Sequence, residues 1–168
     1  MAKIKSVKMD SAYAALDSAS NDRSEKNDCA VKAVAAATGE SYTTVHDMMM
    51  LLGRVDGKGT CTAIIHKAIR KLGYKCVDSD GETVDAYSCE PFATEYFTDQ
   101  YPGAGKKLKS VTTHHPDRYP NCPVWKGRTF LMLTAGGRHI VCIRDGVNID
   151  WTRGKAQRAV KIWEVLPA

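Results

Sequence analysis

No run of about 18 apolar residues occurs in this chain, so no membrane-spanning helix is expected and a membrane is not an expected partner. The close CxxC pairs that frame structural zinc are missing as well. The glycine-rich segment Gly53-Arg54-Val55-Asp56-Gly57-Lys58-Gly59 lacks the spacing of a phosphate loop, and no strand clearly leads into it. Asp78, Asp80 and Glu82 form an acidic patch without the full calcium-loop pattern. The sequence therefore gives no cofactor and no metal to expect. A dense basic stripe interleaved with aromatics is also lacking. The net charge of +5 is scattered, with small clusters at Lys106-Lys107-Leu108-Lys109 and Arg153-Gly154-Lys155, which read as solvated surface, so nucleic acid is not an expected partner. Residues 1–8 start basic but no apolar stretch follows them. No secretion signal is read there, and the expected location is the cytoplasm. Internal repeats and low-complexity tracts are absent too.

What is present suits one domain. The 168 residues are 43% hydrophobic, enough for a core that does not depend on disulfides or metal. The six cysteines at 29, 61, 76, 89, 122 and 142 would allow three disulfides, but that pattern belongs to short secreted chains. Several sit in apolar runs such as Ile140-Val141-Cys142-Ile143, where a thiol serves as a small buried hydrophobe.

Residues 1–26 carry little commitment to structure, apart from a short helix expected over Asp10–Ala19 with Ala14, Ala15 and Leu16 as its apolar face. The clearest helix spans residues 28–38, with Asp28 as its N-cap, an alanine-rich body and Gly39 as its stop. Its small side chains suit a central, buried position. A second helix is expected from Thr43 or Thr44 to Leu52, ending at Gly53, and the glycine-rich loop after it reads as a mobile connection. A third is expected from Thr60 to Leu72, with Ile64, Ile65, Ala68, Ile69 and Leu72 as its inward stripe. A short strand follows at Tyr74–Val77. Between residues 78 and 127 prolines interrupt the pattern, with a short helix expected over Ala93–Thr98 and a strand over Leu108–Thr113. Strands are then expected at Arg128–Thr134, Arg138–Arg144, Val147–Trp151 and from Gln157 or Arg158 to Val165. Asp145-Gly146 is a two-residue hairpin signal. Helices first and sheet second make an α+β fold, with a helical half over about 27–73 and a sheet half over about 108–168.

Three residues carry a candidate chemistry. Cys29 stands in the first turn of the clearest helix, where free N–H groups and the helix dipole favour a thiolate and a developing oxyanion. A cysteine at the start of a buried helix also serves as plain packing. Counting outward from Asp145-Gly146 sets Val141 opposite Asp150 and makes His139 a diagonal neighbour of Asp150. A carboxylate there fixes the tautomer of an imidazole and stabilises its cation. The remaining histidines fit this less well. His46 and His66 fall on predicted helices, at expected surfaces, and His114-His115 lies in a proline-rich loop, where Cys122 offers only a weak zinc alternative.

The stretch from Asn27-Asp28-Cys29 to Thr38-Gly39 resembles the nucleophile helix of papain-like cysteine peptidases, in particular the bacteriocin-processing, C39-like branch. Gly137-Arg138-His139 through Ile149-Asp150 resembles that family's histidine strand and its acidic partner. The two stretches cover about a sixth of the chain, in the family's order of Cys, His, Asp. Small proteins of tailed bacteriophages carry a similar Asn-Asp-Cys helix. The resemblance implies a papain-like fold over residues 27–168, with a cleft between the two halves. It implies Cys29 as nucleophile, His139 as base and acid, and Asp150 as the group that orients His139. One departure stands out. The family commonly places a glutamine about six residues before the cysteine, and this chain has Arg23 there. Asn27, or else Asn21, is left as the candidate oxyanion donor beside the Cys29 N–H. The expected activity is hydrolysis of an amide bond in a protein or peptide substrate. Two alternatives stay open: a phage module that binds a host or virion protein without chemistry, and acyl transfer or deamidation on the same three residues.

Overall fold

The protein is described by a computed structural model covering residues 11–77, Thr83, 125–134, 137–155 and 159–168. Four helices precede five strands: α1 (Ser11–Asp22), α2 (Cys29–Thr38), α3 (Tyr42–Leu51), α4 (Thr62–Lys71), β1 (Tyr74–Val77), β2 (Thr129–Thr134), β3 (His139–Arg144), β4 (Val147–Ile149) and β5 (Ala159–Pro167). The strands form one antiparallel sheet in the order β1-β5-β2-β3-β4. The fold is α+β. No described helix is long and apolar enough to cross a membrane. The helix expected at Ala93–Thr98, the strand at Leu108–Thr113, and Asp78, Asp80, Glu82, His114, His115 and Cys122 lie outside the described residues.

Helix α2 sits at the centre. It touches α1, α3 and α4 on one side and β2 and β3 on the other. Only a helix with small side chains can have neighbours this close on several faces. Ala30, Val31 and Ala33 through Thr38 are all buried. Val31 and Val34 are completely so, each worth roughly 1.5–3 kcal/mol of apolar burial. Gly39 ends the helix in the left-handed conformation (φ +78°), and its N–H donates to Ala35 O at 2.9 Å. On the sheet, Leu131, Cys142 and Trp163 meet the helices, while their neighbours Phe130, Met132, Val141, Ile143 and Ile162 are buried on the other face. Trp125 packs edge-on against Phe130, with ring centroids 5.1 Å apart.

Several expectations are corrected. α1 runs three residues past Ala19 and buries Tyr13 and Ser20, while Ala14 and Ala15 are exposed. Asp28 makes no side-chain cap bond. Its carboxylate turns inward instead, accepting from Ser20 Oγ (2.5 Å) and Tyr42 Oη (2.8 Å) and pairing with Lys32 Nζ (3.3 Å). α3 starts earlier than expected because Ser41 caps it, accepting from Thr44 N at 3.0 Å. α4 starts later, after Cys61. His46 and His66 are buried, not surface residues. The hairpin register is as counted, with Arg144 opposite Val147 and Cys142 opposite Ile149, but β4 stops at Ile149, before Asp150. The cysteines at 29, 61 and 142 are free, and Cys76 and Cys142 are core residues.

Candidate active site

The site lies where the start of α2 meets the start of β3. α2 contributes Cys29, its first residue, which is half-buried. β3 begins at His139, and the β3–β4 hairpin returns the chain so that Asp150 falls just beyond the end of β4. His139 Nε2 lies 2.9 Å from Asp150 Oδ2. A carboxylate only accepts, so Nε2 carries a proton. The same Oδ2 also accepts from Thr152 N (3.0 Å) and Thr152 Oγ1 (2.5 Å), which fixes the carboxylate in place. Cys29 and His139 line the same cavities, and Nδ1 is the ring nitrogen that Asp150 leaves over. Burial works against a charged ring, but the hydrogen bonds and negative charge of Asp150 and Cys29 outweigh it and push the His139 pKa up to about 9.

Cys29, His139 and Asp150 line one open cavity of about 360 Å³, together with Asn27, Lys32 and Trp151. Asn27 adopts the left-handed conformation (φ +55°) and donates from Nδ2 to Gly57 O at 2.9 Å, which leaves one amide hydrogen for the cavity. Asn21 lies at the end of α1, donates weakly to Asp17 (3.4 Å) and does not line the cavity. As the first residue of α2, Cys29 offers an N–H with no acceptor within the helix. Residues that the sequence did not single out complete the cavity. Tyr13 forms part of the wall, its phenol pKa raised by burial and by the carboxylates of Asp17 and Asp150. Trp151 leans on the His139 ring at 5.8 Å between centroids and is 54% exposed. Its position next to Asp150 was the available signal, and the strand expected through residue 151 hid it. Tyr13 had no such signal, because α1 looked uncommitted.

Beside Cys29 in the chain, a part-buried ion network ties residues 23–27 to α3 and to the glycine-rich loop. Glu25 pairs with Arg54 (3.0 Å) and His46 (3.0 Å) and accepts from Gly57 N at 2.7 Å. Asp56 reaches the same two partners at 3.4 and 3.1 Å. Burial alone would raise the Glu25 pKa, but Arg54, the Gly57 N–H and His46 together hold the carboxyl well below the usual carboxylate range. Ligand atoms of Glu25, His46 and Asp56 come within 4.8 Å of one another, a spacing a metal ion could use. The Arg54 guanidinium already supplies positive charge there, so the cluster reads as an ion-pair latch. The loop expected to be mobile is thus anchored at Arg54 and Gly57. Arg23, where the resembling family has glutamine, pairs with Asp47 at 3.0 Å and does not line the cavity.

No family model matches the chain, and no curated protein or solved structure matches it.

Proposed function

We propose that the protein is a papain-like, C39-like thiol hydrolase that cleaves amide bonds through Cys29, His139 and Asp150. The observation that carries this reading is the His139 ring, paired with the Asp150 carboxylate, sharing the wall of one open cavity with the Cys29 thiol. In the proposed reaction the thiolate of Cys29 adds to the substrate carbonyl carbon, and the carbonyl electrons move to oxygen. The Cys29 N–H and the spare Asn27 amide hydrogen stabilise that oxyanion. Collapse expels the amine, which takes its proton from the His139 imidazolium. A water molecule then gives a proton to His139 as its oxygen attacks the thioester. The acid product leaves and the thiol–imidazole pair is restored. Asp150 keeps Nε2 protonated throughout and stabilises the cation.

The test is hydrolysis of a peptide pool, followed by mass spectrometry. Wild type cleaves, and Cys29→Ala with an unchanged circular dichroism spectrum does not. Cleavage at the wild-type rate by folded Cys29→Ala rules the reading out. Adding a small amine during the assay separates acyl transfer, which incorporates it, from hydrolysis.

A second reading has its own support. Arg23 is tied to Asp47 and His46 and supplies no oxyanion donor to the cavity. A module that binds a host or virion protein with its three-residue site idle is consistent with that. It predicts no cleavage of any pool by wild type, although Cys29 still reacts with alkylating agents.

A further inference from the structure

A second cavity, of about 460 Å³, opens on the other side of the Cys29–His139 pair. The two cavities share Cys29, Gly59, Arg138 and His139 as lining residues, so they are the two lobes of one cleft that passes over the nucleophile. The second lobe is apolar where Ile65, Leu133 and Ile140 line it. Charge in the cleft is almost entirely spoken for. Lys32 is paired with Asp17 (2.8 Å) and Asp28 (3.3 Å), and Asp150 with His139 and Thr152. Arg138 is the exception. It is exposed, stands in both lobes and has no ion pair or hydrogen bond among the described residues. On the same rim, Lys155 Nζ lies 4.4 Å from the centroid of the Trp151 ring, which adds a second cation near the mouth. Both carboxylates among the described lining residues, Asp28 and Asp150, are paired, which leaves the positive charge of Arg138 uncompensated by them.

We propose that Arg138 selects substrates bearing a carboxylate within a residue or two of the bond that Cys29 attacks. The inference rests on the hydrolase reading for its substrate but not for its binding step. A guanidinium matches a carboxylate with two parallel hydrogen bonds, and an arginine without a partner among the described residues gives up no contact with them to make these bonds. Its position next to His139 sets the partner carboxylate close to the reacting carbonyl. An acidic side chain and a free C-terminus present the same group, and both fit this chemistry. Because Arg138 is exposed, the expected discrimination is modest, about fivefold to tenfold, and weakens with added salt.

The test measures protection of Cys29 from iodoacetamide by four randomised hexapeptide pools. Three are amide-capped and carry a fixed Glu, Gln or Lys, and the fourth carries Gln with a free C-terminus. The Glu pool, the free-terminus pool or both should protect at about fivefold lower concentration than capped Gln, and their order shows whether side chain or terminus is read. Arg138→Gln should bring the ratio near one, and Arg138→Glu should favour the Lys pool. Equal protection by the Glu, free-terminus and Gln pools in wild type, no protection by any pool, or a ratio that survives Arg138→Gln overturns the proposal. Cleavage of the same pools is followed separately. Protection that depends on Arg138 but comes without cleavage sinks the hydrolase reading and leaves carboxylate selection standing, whereas cleavage without carboxylate preference does the reverse.

Discussion

His139 is where the site's electrostatics concentrate. A histidine whose pKa rises to about 9 in the folded protein stays cationic at neutral pH, against an unfolded value near 6.5. Removing the negative partner lowers the value, so Asp150→Asn should bring the ring's NMR titration down towards 6.5. Thr152→Val removes one of the two Thr152 donors that fix Asp150 Oδ2 and should shift the titration less, since the backbone N–H at 3.0 Å remains. An unchanged His139 titration in Asp150→Asn would contradict the assigned pairing. This pairing was legible in the sequence because hairpin register follows from a two-residue turn, and the turn was visible as Asp145-Gly146. The Asp28 contacts were not legible. Ser20 and Tyr42 lie eight and fourteen residues away, and nothing local distinguishes a capping aspartate from one that turns into the core.

The segment just before α2 is tied down by the buried latch among Glu25, His46 and Arg54. Arg54 has a fully buried side chain, and removing its charge leaves Glu25 without its guanidinium partner. Arg54→Met should therefore cost about 3–5 kcal/mol in urea unfolding. A loss under about 1 kcal/mol would mean the latch is not formed in solution. Gly39→Ala tests the other end of α2. No atom lies within 4 Å of the added Cβ, so only the left-handed backbone is penalised, by about 1 kcal/mol. Helix existence was readable from periodicity and glycine stops. The burial of His46 and His66 was not, because their burial depends on partners remote in sequence: Glu25 for His46, and Trp163, 5.0 Å away edge-on, for His66.

For the molecule as a whole, pH links the site to stability. The raised His139 pKa contributes stability that is complete below about pH 6.5 and is lost as pH rises through about 9, on the order of 2–3 kcal/mol. The depressed Glu25 pKa contributes stability present above about pH 4.5 and lost on acidification. Urea midpoints should be flat from about pH 5 to 6.5 and fall on either side, and His139→Asn should flatten the decline between about 6.5 and 9. The α+β layout was evident from helices preceding strands. The sheet order was not, because β5 enters between β1 and β2 through pairings that join the two ends of the fold, such as Tyr74 with Pro167. The proposed thiol–imidazole unit of Cys29 and His139 joins residues 110 positions apart in the chain. Its most direct test is the rate of Cys29 alkylation by iodoacetamide at pH 6.5, mapped by mass spectrometry alongside exposed Cys61. Cys29 should react at least tenfold faster than Cys61, and His139→Asn should remove the difference. Equal rates in wild type, or a fast Cys29 that persists without the imidazole, would contradict it.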